Sequence, residues 1–452
     1  MKNINYTIVA FALIVISGCS GFLDERPNKG ILIPTTVADI RALLDNDTDL
    51  NVVPAYGLLS SDDLFINDQG WGSLSSPAEQ NAYIWNEDIW AGNASADWAR
   101  LYRAIFVSNI ALEQAELLPP SQEIARLKAE ALFHRAHAHF MVAQVFSPAY
   151  FPGITDQELG IPLRLNTEIL ERSPRVKLQD YYNSVINDLE LAFENLPDSD
   201  ALKTRPSKLA AKALLARVYL TMGSYDLAEE AANWILARPE LKLLQYQNLN
   251  PAATYPFQKY NSEVIFHSVI LSHSYASVGN VNVWINPKLY ERYDARDLRK
   301  TLYAIPRANG GISFKGQYTG NAARFGGIAL DEIYFIKAES LARKNDASGA
   351  LKVLNEILKT RFKSGSFEPI EGISGTKLLQ TVLEEKRKSL VYRGINWIDL
   401  RRLNFEPALQ RTIERAVSGV TYQLKPLSKK YVLPIPDNEL NLNPIAQTDR
   451  RD

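Results

Sequence analysis

The chain has 452 residues, 46% hydrophobic and 22% charged, enough for one large or two ordinary domains with a substantial core. A formal net charge of −1, with no long block of Lys or Arg, argues against nucleic acid as a partner. The single cysteine, Cys19, excludes intramolecular disulfides and cysteine-based metal sites.

Residues 1–18 read as a secretory signal. Lys2 supplies the positive start, and Tyr6 to Ile16 is an apolar run too short to span a bilayer. Ile16-Ser17-Gly18-Cys19 resembles the bacterial lipobox, which implies that Cys19 is lipidated and opens a mature chain, 19–452, tethered to a membrane. A short tether then passes Pro27, Gly30 and Pro34 into a helix expected near Thr36. From Leu58 to Asp97 the chain is rich in Gly, Ser, Asn, Asp and Trp without helical period, so it is expected to be ordered loop. Periodic apolar residues predict a helix that starts near Ala96 and ends before Pro119-Pro120, and another from Ser121 to about Phe146, forming a first hairpin. A Pro-bearing connector, 147–178, leads to a helix from about Gln179 to Leu196.

The next stretch, Pro206 to Arg238, carries two amphipathic helices, with Gly223 at the turn and Ser224 placed to cap the second. Ala213, Ala216, Ala228 and Ala232 are small enough to let the two axes approach closely. The pattern returns about 122 residues later, from Ile333 to Arg361: Ala216 aligns with Ala338, Ser224 with Asp346, Ala228 with Ala350 and Ile235 with Ile357. The expected fold is therefore mainly α, a scaffold of tetratricopeptide-like hairpins. Loop-rich insertions near 58–97 and 239–329 interrupt it, the second with strand-like runs such as Glu263 to Leu271. Helix returns from Thr376 to Tyr392 and through RGINWIDLRRLN, ahead of an extended tail at Tyr431 to Pro436.

Phe22-Leu23-Asp24 just after Cys19, then DEIYFIKAESLARKND, EEKRKSLVYRGINWIDLRRLN and YVLPIPDNELNLNP in that order, resemble the SusD/RagB family. Glu339, Glu385, Arg387, Gly394, Trp397, Asp399, Leu400 and Arg402 fit its pattern, whereas the family usually carries an Arg at Asn396 and often a Glu at Arg393. Physically, Asp399 and the arginines around it read as a clamp between helix ends. The resemblance implies an outer-membrane lipoprotein facing the cell exterior. Such a protein captures an oligosaccharide or oligopeptide for a SusC-like TonB-dependent transporter.

No GxxxxGK[ST], HExxH or GxSxG motif occurs, and no enzyme or cofactor is expected. His134 and His137 share a helical face while His139 points away, a poor arrangement for a metal. Aromatic faces stack on sugar rings or peptide groups, and loops carry such sites. Trp71, Trp90, Tyr275 and Trp284 are the candidate stacking residues, with Asp62 and Asp63 as polar partners. A lipid-anchored scaffold for envelope assembly and a surface glycan hydrolase are the alternative readings.

Overall fold

The structure, a computed structural model, describes residues 34–452 apart from Val278. The signal peptide, Cys19 and the tether up to Ile33 lie outside the described residues. Helix α1, Val37–Leu44, opens on Thr36, whose hydroxyl accepts from Asp39 N while the Asp39 carboxylate accepts from Thr36 N, a reciprocal capping box. The first hairpin joins α2, Ala96–Glu116, to α3, Gln122–Phe146, with Ser95 and Ser121 capping the two starts. Then follow α4, Leu178–Asn195, α5, Lys208–Thr221, and α6, Tyr225–Leu236. Beyond the insertion come α7, Leu330–Arg343, α8, Ala347–Lys359, α9, Gly375–Ser389, and α10, Ile395–Leu403. From α2 to α8 each helix packs on the next, and α9 packs on α7. The expected helical scaffold is what the chain builds.

The repeat is exact at the turn between helices. Helices α5 and α7 begin and end 122 residues apart, and so do the hydrogen bonds that close them. Gly223 N donates to Leu220 O and Ser224 N to Tyr219 O; Asn345 N donates to Ala342 O and Asp346 N to Leu341 O. Both turn residues are left-handed, Gly223 at φ +75° and Asn345 at φ +63°. Gly adopts this region freely and Asn is among the residues that tolerate it. Ala213, Ala216, Ala228 and Ala232 are fully buried, as the spacing of small residues required.

The caps differ. Asp346 accepts from Gly349 N at 2.9 Å, but the Ser224 side chain makes no cap bond, contrary to the sequence reading. Asp346→Ala should therefore cost about 1 kcal/mol in a urea titration, and Ser224→Ala less than about 0.5 kcal/mol.

Charged residues clamp the end of this scaffold. Glu339, fully buried on α7, accepts two bonds at 2.7 Å from Arg402, one at 2.9 Å from Arg343 and a longer one from Lys386, which also reaches Asp399 at 3.0 Å. Burial opposes the Glu339 charge, but the three cations hold its carboxyl well below the usual range. The clamp expected around Asp399 is present, with Glu339 at its centre. The two departures from the family pattern are partnered as well: Arg393 donates to Asp331 at 2.8 Å, and Asn396 to Asp62 at 2.9 Å.

The insertions are tied together by short strands. Strand β1, Val52–Val53, runs parallel to β3, Val269–Ile270, and β2, Leu64–Ile66, antiparallel to β4, Val283–Ile285. Strands β5, Ala304–Pro306, and β6, Ile312–Phe314, form a hairpin beside β4. Within 58–97, which the sequence suggests is loop, short helices form at Asp68–Gly72 and Pro77–Tyr83, capped by Asn67 and Ser76. A hairpin of β7, Ile413–Val417, and β8, Val420–Leu424, closes over this region. From it Arg415 donates to the carbonyls of Leu59, Ser61 and Tyr83.

Candidate functional site

The β2–β4 pairing brings Phe65 opposite Trp284, although 218 residues separate them in sequence. Their rings lie 5.3 Å apart at 31°, both half-buried, forming a partly solvent-facing aromatic pair. The Trp284 indole donates to Val281 O at 2.7 Å, so its polar edge is engaged within the protein and its π surface is what remains. Asn67, following β2, donates to Asn282 Oδ1 at 3.1 Å and caps the helix that carries Trp71. Trp71 is half-buried, its indole donating to Gln80 O at 3.1 Å. Asn309, at the β5–β6 turn, donates to Val281 O and to Asn282 Oδ1. Two half-buried indoles, a phenyl ring and three carboxamides thus gather where the two loop-rich regions meet. Stacking surface combined with amide donors and acceptors suits a polyhydroxylated ligand.

Other candidate residues lie elsewhere. Trp90 is 1% exposed, its indole donating to Pro434 O at 2.7 Å, and it packs edge-on to Tyr56. Tyr275 is fully buried and donates to Ala55 O. Both are core residues, packed in the main hydrophobic cluster beneath the loop segments that carry them. Asp62 and Asp63 do not join the aromatic face. Asp63 is fully buried, accepting from Tyr392 N at 3.2 Å and from Arg387, while Asp62 holds Arg387, Arg411 and Asn396. Burial opposes both charges. At Asp62 the Arg387 and Arg411 guanidiniums prevail and hold the carboxyl near 2; at Asp63 burial prevails and pushes it up to about 6. These carboxylates fasten the start of β2 to the C-terminal helices.

His134 and His137 pack around Phe133 and Phe266, and His139 lies between Tyr181 OH at 2.8 Å and Arg164 O at 3.0 Å. Burial pushes all three down to about 3, so they are neutral. His273 is the opposite case. It lies 3.3 Å from Glu79 and 3.4 Å from Asp97, joining the helix that Trp71 docks on to the segment leading into β4. Burial disfavours its charge, but the nearby Asp97 and Glu79 carboxylates outweigh it and push His273 up to about 9.

A pKa raised from 6.5 stabilises the fold fully below pH 6.5, and that contribution is lost as pH rises through about 9. On the order of 3 kcal/mol should disappear over that window. Urea midpoints measured from pH 6 to 10 should show the fall in the wild type and a flatter profile in His273→Gln.

A cavity of about 570 Å³ opens between residues 47–52, 267–277 and 319–324, with no Phe, Tyr or Trp in its lining. A second, of about 520 Å³, lies at the end of α10 between Pro148, Phe405 and Tyr431. Neither involves a candidate aromatic from the sequence.

The comparisons with known proteins agree with this architecture. One family profile, described as starch-binding and associating with the outer membrane, matches residues 21–220; a second, that of the SusD family, matches residues 317–447. The chain belongs to the SusD/RagB family. A SusD-like protein P2 from Formosa agariphila is 25% identical, over 98% of both chains. Among solved structures, a SusD superfamily protein from Bacteroides thetaiotaomicron shares the fold at a TM-score of 0.75, with 23% identity over 92% of this chain and all of that one. A laminarin-binding SusD-like protein is similar at a TM-score of 0.66, with 21% identity over 92% of this chain and 99% of its own. Phe65 and Trp71 fall inside the first matched stretch of this SusD-family chain, whereas Trp284 and Asn309 lie between the two.

Proposed function

We propose that the chain is a surface nutrient-binding lipoprotein that takes up an oligosaccharide on the Phe65–Trp284 face and passes it to a SusC-like TonB-dependent transporter. The observation that carries the ligand half is the aromatic pair flanked by Asn67, Asn282 and Asn309 at the junction of the loop-rich regions. The starch-binding description of the matched family and the laminarin-binding relative favour a glycan over a peptide. Anchoring through Cys19 after removal of residues 1–18, and exposure at the outer membrane, complete the reading. Its role is binding, with no catalytic step.

Trp71→Ala with Trp284→Ala should weaken retention in native gels containing soluble starch or laminarin by about tenfold or more. The melting temperature should stay within a few degrees. Unchanged retention in a gel that does retard the wild type would remove the aromatic face from the reading. Co-purification in detergent with an outer-membrane barrel tests delivery, and loss of the chain from membranes in Cys19→Ala tests the anchor.

A further inference from the structure

Two glycines press on the segment Asn282–Trp284 from different elements, and neither has a backbone that demands glycine. Gly311, immediately before β6, is outside the left-handed region, yet a Cβ there would lie 1.9 to 2.2 Å from Cε2, Nε1 and Cδ2 of Trp284. Gly70, in the helix that carries Trp71, also lacks a positive φ, and its Cβ would lie 2.7 Å from Asn282 Cβ and 2.8 Å from Ile66 Cγ2. Gly310 is the contrast: its φ is +85°, and a Cβ would meet nothing within 4 Å. Gly310 therefore serves the turn, while Gly311 serves its neighbour's side chain. The hairpin tip is held in place by Asn309, which donates to Val281 O at 3.1 Å, the same carbonyl that the Trp284 indole uses at 2.7 Å.

We propose that Gly311 and Gly70 are positioning residues that fix Trp284 and Asn282 for ligand binding, with the bare Gly311 backbone backing one face of the indole. Stacking is thereby confined to the side of Trp284 away from the β5–β6 tip. The proposal rests on the assignment of Trp284 to the glycan site, and the experiment separates the two.

The full chain is labelled with 5-fluorotryptophan, and the Trp284 fluorine line is identified by its loss in Trp284→Phe. Gly311→Ala should move that line more than those of the buried tryptophans and weaken laminarin or starch retention about tenfold. Gly310→Ala should lower the melting temperature while leaving the Trp284 line and retention unchanged. Because Gly311→Ala could also destabilise the chain, it is repeated in a Trp284→Ala background. There the added methyl has room, and the melting temperature should not change further.

A Trp284 line that stays in place in Gly311→Ala overturns the proposal. So does an equal loss of stability with and without the indole. Full polysaccharide retention by Gly311→Ala, where Trp284→Ala has lost it, overturns it too. If Trp284→Ala itself retains full binding, the glycan assignment of this face falls, and the fluorine line with the double variant decides the packing role alone.

Discussion

Glu339→Gln is expected to cost about 3–5 kcal/mol, a large share of the stability of a domain this size. The substitution removes the one charge that faces Arg402, Arg343 and Lys386 together, and leaves these cations in the interior with only Asp399 and Glu406 as acceptors. An amide can accept on one oxygen but presents donors to the other partners, so shape is kept while the electrostatics are reversed. The urea midpoint should fall steeply, and yield with it. Lys344, which meets Asp226 and Glu229 on the surface, provides the control: Lys344→Gln should leave the midpoint where it was. Equal losses for the two variants would mean that the cluster is no more than a solvated ion pair.

Trp90→Ala is expected to cost about 3–5 kcal/mol with no direct effect on ligand affinity in the molecules that remain folded. Trp90 contributes its full surface to the interior, against Tyr56 and Phe146, and its indole holds Pro434 O. Truncation opens a cavity and frees a buried carbonyl in one step. Trp284→Ala should give the reverse result, with binding lost and melting nearly unchanged. Thermal unfolding run beside polysaccharide retention for the two variants checks the division between core and site. A binding defect in folded Trp90→Ala as great as that of Trp284→Ala would place both indoles in one functional unit.

Helices were readable from the sequence because their information is local. Apolar steps of three and four, Ser121 before Gln122, and the 122-residue recurrence of small residues each depend on neighbours within a few turns. The failed cap at Ser224 shows the limit even there, since its position was right and its hydrogen bond absent. The site was legible only in part. Trp71 and Trp284 could be picked out as aromatics in polar loops, but so could Trp90 and Tyr275, and composition cannot tell a loop's anchor from its exposed ring. What separates them is which partner each meets. Phe65 carries no such mark in the sequence, because its importance comes from facing Trp284 across a three-residue strand pair. Asn67, Asn282 and Asn309 likewise meet only in the folded chain, through the Asn282 side chain. Asp62 and Asp63 attracted notice as adjacent acids, while the arginines that take them, Arg387 and Arg411, lie more than 320 residues downstream.

That last separation has a consequence for how the polypeptide is made. Trp90 waits for Pro434, Leu59 and Ser61 for Arg415, and Asp62 for Arg387. The first hundred residues therefore cannot complete their contacts until residues 387–434 have left the ribosome. Early hairpins can form as they emerge, but the loop-rich front closes only after residues 387–434 follow, so a chain stopped before Arg387 would keep its early hairpins and lose these ties.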